Sequence, residues 1–101
     1  MRARVPFETI SRAALAHAPE IVRRWLPDGH RSGAEWVARN PKRVDRRRGS
    51  FRVNLRTGRW ADFATGDRGG DLVSLAAFLF DLDQTTAARR LASMVGVALD
   101  D

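Results

Sequence analysis

The chain has 101 residues, with 18 lysines and arginines against 12 aspartates and glutamates, two histidines and no cysteine. That length suits one small domain, and 44% hydrophobic with 30% charged residues describes a folded chain rather than a disordered one. Without cysteine there is no disulfide and no thiolate metal site, and His17 and His30 alone are too few for structural zinc.

In chain order, residues 7–16 form the first predicted helix, with Phe7, Ile10, Ala14 and His17 on one stripe and Glu8 favouring its N-terminal turn. Pro19 opens a second helix over residues 20–26, whose apolar face is Ile21, Val22, Trp25 and Leu26. Pro27, Asp28 and Gly29 end it, and the chain to Gly33 reads as loop. The period then changes. Residues 35–38 read as a short strand, closed by Asn40 and Pro41, and residues 42–49 as a basic loop. Residues 50–55 alternate, with Phe51, Val53 and Leu55 opposite Ser50, Arg52 and Asn54. A turn at Arg56, Thr57 and Gly58 leads into a partner strand over residues 59–64. On it Trp60 and Asp62 share one face, and Ala61 and Phe63 the other. A loop over residues 65–70 precedes a helix started by Asp71 and apolar nearly all round, the pattern of a buried helix. Asp83 is the predicted N-cap of a last helix over residues 84–95, with Gly96 just past its end. The predicted fold is α+β: a small three-stranded antiparallel sheet flanked by N-terminal and C-terminal helix pairs.

The charge is concentrated. Between Arg39 and Arg68 lie ten basic residues against three acidic ones, so this window carries +7 and the remainder of the chain −1. Seventeen of the 18 basic residues are arginine, which grips phosphate bidentately and stacks on bases. Such clustering is what binding to a polyanion needs. Gly69 and Gly70 lack the lysine of a P-loop and the spacing of a dinucleotide fingerprint, so nucleotide binding is not expected. The longest apolar run, residues 75–80, is far short of the ~20 residues that cross a bilayer. No apolar stretch follows the basic N-terminus, so neither a membrane partner nor a signal peptide is expected and the location reads as cytoplasmic.

Several segments together carry a resemblance. Asn40-Pro41-Lys42-Arg43 is followed by Gly49-Ser50-Phe51-Arg52-Val53-Asn54, then by Thr57-Gly58-Arg59-Trp60-Ala61-Asp62-Phe63 and Gly69-Gly70-Asp71-Leu72-Val73, with a closing helix over residues 87–91 and Gly96-Val97. Their order and spacing resembles the N-terminal zinc-binding domain, a zinc ribbon, of bacterial and phage DNA primases. The resemblance covers residues 34–97, with residues 1–33 as a helical extension in the same compact domain. It places the family's four zinc ligands at Asn40, Arg43, Asp62 and Thr65, none of which is a thiolate or imidazole. A degenerate, metal-free ribbon is therefore expected, with no cofactor. Arg43 and Asp62 are candidates for a charge-assisted bond across the old metal position, with Asn40 and Thr65 adding neutral hydrogen bonds.

The resemblance implies a non-catalytic accessory module from a phage, plasmid or mobile-element replication system, holding single-stranded DNA or RNA for a primase or primase-helicase. Candidate phosphate contacts are Arg46, Arg47, Arg48, Arg52, Arg56 and Arg59, and Trp60 is the candidate for stacking on a base. The competing reading of Trp60 is a core residue. No cluster of metal-binding carboxylates suited to primer synthesis is recognisable. The alternative function is a protein-interaction module docking on a replicative helicase, on a primase catalytic domain or on itself.

Overall fold

The computed structural model describes residues 5–42 and 50–99. Two short helices, α1 (Phe7–Leu15) and α2 (Ala18–Trp25), lead into five strands and end in two further helices. The strands are β1 (His30–Ser32), β2 (Glu35–Ala38), β3 (Phe51–Asn54), β4 (Trp60–Asp62) and β5 (Arg68–Gly69); the helices are α3 (Leu72–Phe80) and α4 (Gln84–Val95). All strands are antiparallel and lie in sequence order, a meander.

The sheet thus has five strands where three were expected. The extra pair comes from the segments read as loops. His30, Arg31 and Ser32 are all exposed and carry no hydrophobic alternation, yet Gly33, at φ +60°, turns the chain so that they pair with Val37, Trp36 and Glu35. At the other edge Arg68 and Gly69 pair with Ala61 and Trp60. A side chain at position 69 would overlap the Trp60 indole and the Ser74 hydroxyl, so glycine lets this edge close over the tryptophan.

The register sorts the sheet into two faces. Trp36, Val53, Trp60 and Gly69 align across four strands on the inner face, with Ala38, Phe51 and Asp62 in the next row. Phe51, Trp60 and Phe78 of α3 pack ring to ring, with centroids 4.8 to 6.1 Å apart. Trp60 donates its indole N–H to Ser74 Oγ at 2.9 Å, which satisfies its one polar atom. Ile10, Ala14, Ile21 and Val22 from the first two helices join Leu72, Leu75, Leu91 and Ala92 in the same core, so the N-terminal segment is part of one hydrophobic unit.

The C-terminal helices follow local rules closely. Asp71 caps α3 through Ser74 N–H at 2.8 Å, and the Ser74 hydroxyl lies within hydrogen-bond reach of the Asp71 N–H, a capping box. Asp83 accepts from Thr86 N–H at 2.7 Å to cap α4, and Gly96 ends it in the left-handed conformation. Helix α3 is buried through Leu72, Val73, Leu75 and Ala76, but its last turn emerges, leaving Phe80 48% exposed.

Candidate nucleic-acid interface

The outer face of the sheet carries Arg52, Arg59 and Arg68 of the basic window. Val37, Arg52, Ala61 and Arg68 line up across β2 to β5. Ala61 is small, so the arginines on either side of it stand above a shallow floor. One row along the strands, Arg59 lies opposite Asn54, bonded through Asn54 N–H to the Arg59 carbonyl at 2.7 Å. In the other direction Phe63 lies opposite Ser50, its N–H on the Ser50 carbonyl at 2.8 Å. The result is an open groove of about 370 Å³ lined by Arg52, Arg59, Arg68, Glu35, Asn54 and the ring of Phe63, among others. Phe63 is 71% exposed, the most exposed large hydrophobic side chain among the described residues.

Arg52 contacts Glu35 Oε1 at 3.2 Å, both side chains more than a third exposed. A pair so wetted contributes about 0–1 kcal/mol and does not stop the guanidinium from meeting a phosphate as well. Arg56 sits exposed in the β3–β4 turn, beside Arg59 in sequence. Arg46, Arg47 and Arg48 lie outside the described residues. Lys42, just before them, is held firmly: its ammonium bonds the Phe78 carbonyl at 2.7 Å and Asp81 Oδ1 at 2.6 Å, and sits 4.6 Å from the Phe78 ring centroid. It thereby satisfies a carbonyl at the C-terminal end of α3 and anchors the chain where the arginine-rich segment begins.

The Trp60 ring belongs to the core. At 5% exposure, packed among Phe51 and Phe78 and closed over by Gly69, it has no open face on which a base could stack. The exposed aromatic of this region is Phe63. Alternation places Phe63 on the Ala61 face, opposite Trp60, yet the sequence reading gives the stacking role to Trp60.

Asn40 and Asp62, two of the four positions where the resemblance puts zinc ligands, meet in the interior. Asn40 is 3% and Asp62 0% exposed. Asn40 Nδ2 donates to Asp62 Oδ2 at 2.9 Å, while Asp62 Oδ1 accepts the Ala64 N–H at 2.8 Å. Asn40 Oδ1 in turn accepts the Lys42 N–H at 2.9 Å. One amide and one carboxylate therefore lock the turn after β2 to the turn after β4. Thr65 turns away, its hydroxyl donating to Asp67 Oδ2 at 2.8 Å on the surface. Arg43, the expected partner of Asp62, lies outside the described residues. Zinc does not fit this donor set: it has no thiolate or imidazole, and both Asp62 oxygens already accept protein hydrogen bonds. Among the described residues no group of three or more histidines, cysteines, aspartates or glutamates is placed to hold a metal ion.

The fold has a known counterpart. The chain superposes with a TM-score of 0.77 and 21% identity on the crystal structure of the Aquifex aeolicus primase comprising its zinc-binding and RNA polymerase domains, over 99% of this chain and 23% of that one. This is the fold of a primase zinc-binding domain. The chain spans less than a quarter of the length of the primase it matches. No family model matches the sequence, and no curated protein matches it significantly. Among the described residues no helix is long and apolar enough to cross a membrane.

Proposed function

We propose that this chain is a metal-free, non-catalytic nucleic-acid-binding module of primase type, which holds single-stranded template on the outer face of its sheet. The observation that carries this reading is the groove itself: Phe63, bare to solvent, lies with Arg52, Arg59 and Arg68 on one surface. Guanidinium groups spaced around an exposed ring match the two needs of single-stranded nucleic acid, phosphate neutralisation and a stacking platform. Arg56 extends the basic surface at the hairpin turn, and Arg46, Arg47 and Arg48 are further candidate phosphate contacts. The likeness of fold to a primase domain supports the same reading, with a primase catalytic domain or a replicative helicase of a phage, plasmid or mobile element as the working partner.

Fluorescence anisotropy of a labelled single-stranded oligonucleotide across a salt series tests it. Each phosphate contact to a single strand contributes about −0.7 to the slope of log K against log salt. Arg59→Ala/Arg68→Ala is therefore expected to flatten the slope by roughly 1.4, and Arg46→Ala/Arg47→Ala/Arg48→Ala by about 2. Absence of binding at low salt, or slopes unchanged in both variants, would refute the reading.

A second reading rests on a separate surface. Trp25, Phe80, Leu82 and Met94 line an apolar groove of about 180 Å³ between α2, α3 and α4, with Arg90 beside it. Phe80 and Met94 are 48% and 44% exposed there. An apolar groove beside a charge favours a protein partner. Loss of capture of a helicase or primase catalytic domain on Met94→Glu, with oligonucleotide binding intact, would support that role.

A further inference from the structure

The groove contains one feature that phosphate binding does not use. At the end away from Phe63, Glu35 and Asn54 face each other across β2 and β3. The Asn54 N–H points to β4, and the neighbouring bond from Leu55 N–H to the Ala34 carbonyl closes the narrow pair, so Glu35 and Asn54 form a non-hydrogen-bonded pair. Side chains approach most closely at such pairs. Both residues line the groove.

Their polar atoms are already oriented. Asn54 Oδ1 accepts the N–H groups of Arg56 at 2.8 Å and Thr57 at 3.0 Å. Two backbone donors require the oxygen there, so the amide assignment is fixed and Nδ2 is left with two protons to give. Among the described residues it bonds to nothing. Glu35 accepts Arg52 Nη1 through Oε1, which offsets its charge and leaves its second oxygen as an acceptor. The end of the groove therefore presents a neutral amide donor beside a carboxylate acceptor that a cation has already balanced.

We propose that Glu35 and Asn54 read the Watson–Crick edge of one unpaired base, and that the base is guanine. This rests on the sheet face being the nucleic-acid surface. Guanine alone among the DNA bases offers two adjacent donors, N1–H and N2–H, which suit a carboxylate, with an acceptor, O6, beside them to take the proton of Asn54 Nδ2. Cytosine and adenine each place a single donor next to an acceptor, and thymine flanks one donor with acceptors that face the carboxylate unfavourably. The four-residue offset between Ser50, opposite Phe63, and Asn54 spans about 13 Å along the strand. The base read at Glu35 and Asn54 is thus a different one from the base stacked on Phe63. Arg52 sits between them and serves both, holding Glu35 and meeting a phosphate.

The test compares labelled dT12 with the same oligomer carrying one central dG, dA or dC, against the wild-type chain and two isosteric variants. Asn54→Asp keeps the oxygen that receives the turn N–H groups and removes the Nδ2 donor; Glu35→Gln keeps size and removes the carboxylate. The wild type is expected to bind the dG oligomer about tenfold more tightly than dT12, dA or dC, the scale of one good multidentate base contact. Both variants are expected to lose that preference, read as the ratio of dG-oligomer to dT12 affinity within each variant, so that the charge each substitution changes in the groove cancels. Equal wild-type affinity for all four oligomers would overturn base reading while leaving the nucleic-acid surface in place. So would a dG preference that persists in both variants. No binding to any oligomer at low salt would remove the surface itself, and base reading with it.

Discussion

The buried pair of Asn40 and Asp62 makes a quantitative prediction about what holds this fold together. Asn40→Ala deletes the donor to Asp62 Oδ2 at 2.9 Å and the acceptor for Lys42 N–H. A hydrogen bond to an ionised group contributes about 1.5–3 kcal/mol, and an ordinary one about 0.5–1.5 kcal/mol. The variant is thus expected to lose about 2–4 kcal/mol. A domain of this size has about 5–15 kcal/mol in all, and each kcal/mol moves Tm by roughly 4–8 °C. Urea unfolding of the wild type, Asn40→Ala, Asp62→Asn and the double variant separates the pair from its surroundings. Asp62→Asn retains an acceptor for Ala64 N–H, so it removes charge without emptying the site. The double variant should cost less than the sum of the singles by about 1–2 kcal/mol, since the charge-assisted part of the bond is lost only once. Additivity within about 0.5 kcal/mol would refute the reasoning, because it would mean that the two side chains do not act through each other.

Three further outcomes are expected. Tm should be unchanged by a strong chelator or by added zinc, since the four ligand positions hold no thiolate or imidazole; a fall of more than a few degrees with chelator would contradict the metal-free reading. Phe63→Ala should weaken oligonucleotide binding by about 1–3 kcal/mol at constant Tm, measured by anisotropy alongside thermal melts, because its 71%-exposed ring packs little against the fold. Asp83 sits below its ordinary value of 3.8 because the Thr86 backbone N–H bonds its carboxylate. A depressed carboxylate stabilises the fold above its unfolded-state value and loses that contribution as pH falls through the folded-state value. Asp83→Asn should therefore flatten the acid side of the stability profile below about pH 4, and an unchanged acid limb would count against the cap.

What could be read from the chain and what could not divide along physical lines. Helix α4 was legible to the residue because Asp83 and Gly96 are local signals that tertiary packing did not override. The inner face of β3 and β4 was legible from alternation. The strands β1 and β5 were not, since three exposed polar residues and an Arg-Gly pair have no hydrophobic period; they pair because a turn at Gly33 and a close approach at Gly69 bring backbone to backbone. At the candidate site the arginines of the hairpin were found by charge, and Arg68 and Phe63 were missed as groove residues. Trp60 carried both a stacking and a core reading in the sequence, and its pairing with Val53 on the inner face goes with burial. Asn40 and Asp62 were singled out together, but only burial made the neutral amide a cross-turn partner of the carboxylate. Burial depends on the whole fold.

The meander order of the sheet has a consequence for how the molecule assembles. Every strand pairs with its neighbour in sequence, and most successive strands are joined by short turns, so most of the sheet can zip up through local closures. The exceptions include α1, which packs on α4 from the opposite end of the chain, and Trp25 of α2, whose ring meets Phe80 of α3. Those contacts close the largest loops, and their entropic cost is recovered only after the rest is formed. Folding is then a race between a sheet that forms early and a helix that docks late, and substitutions in α1 should speed unfolding while leaving the refolding rate nearly unchanged.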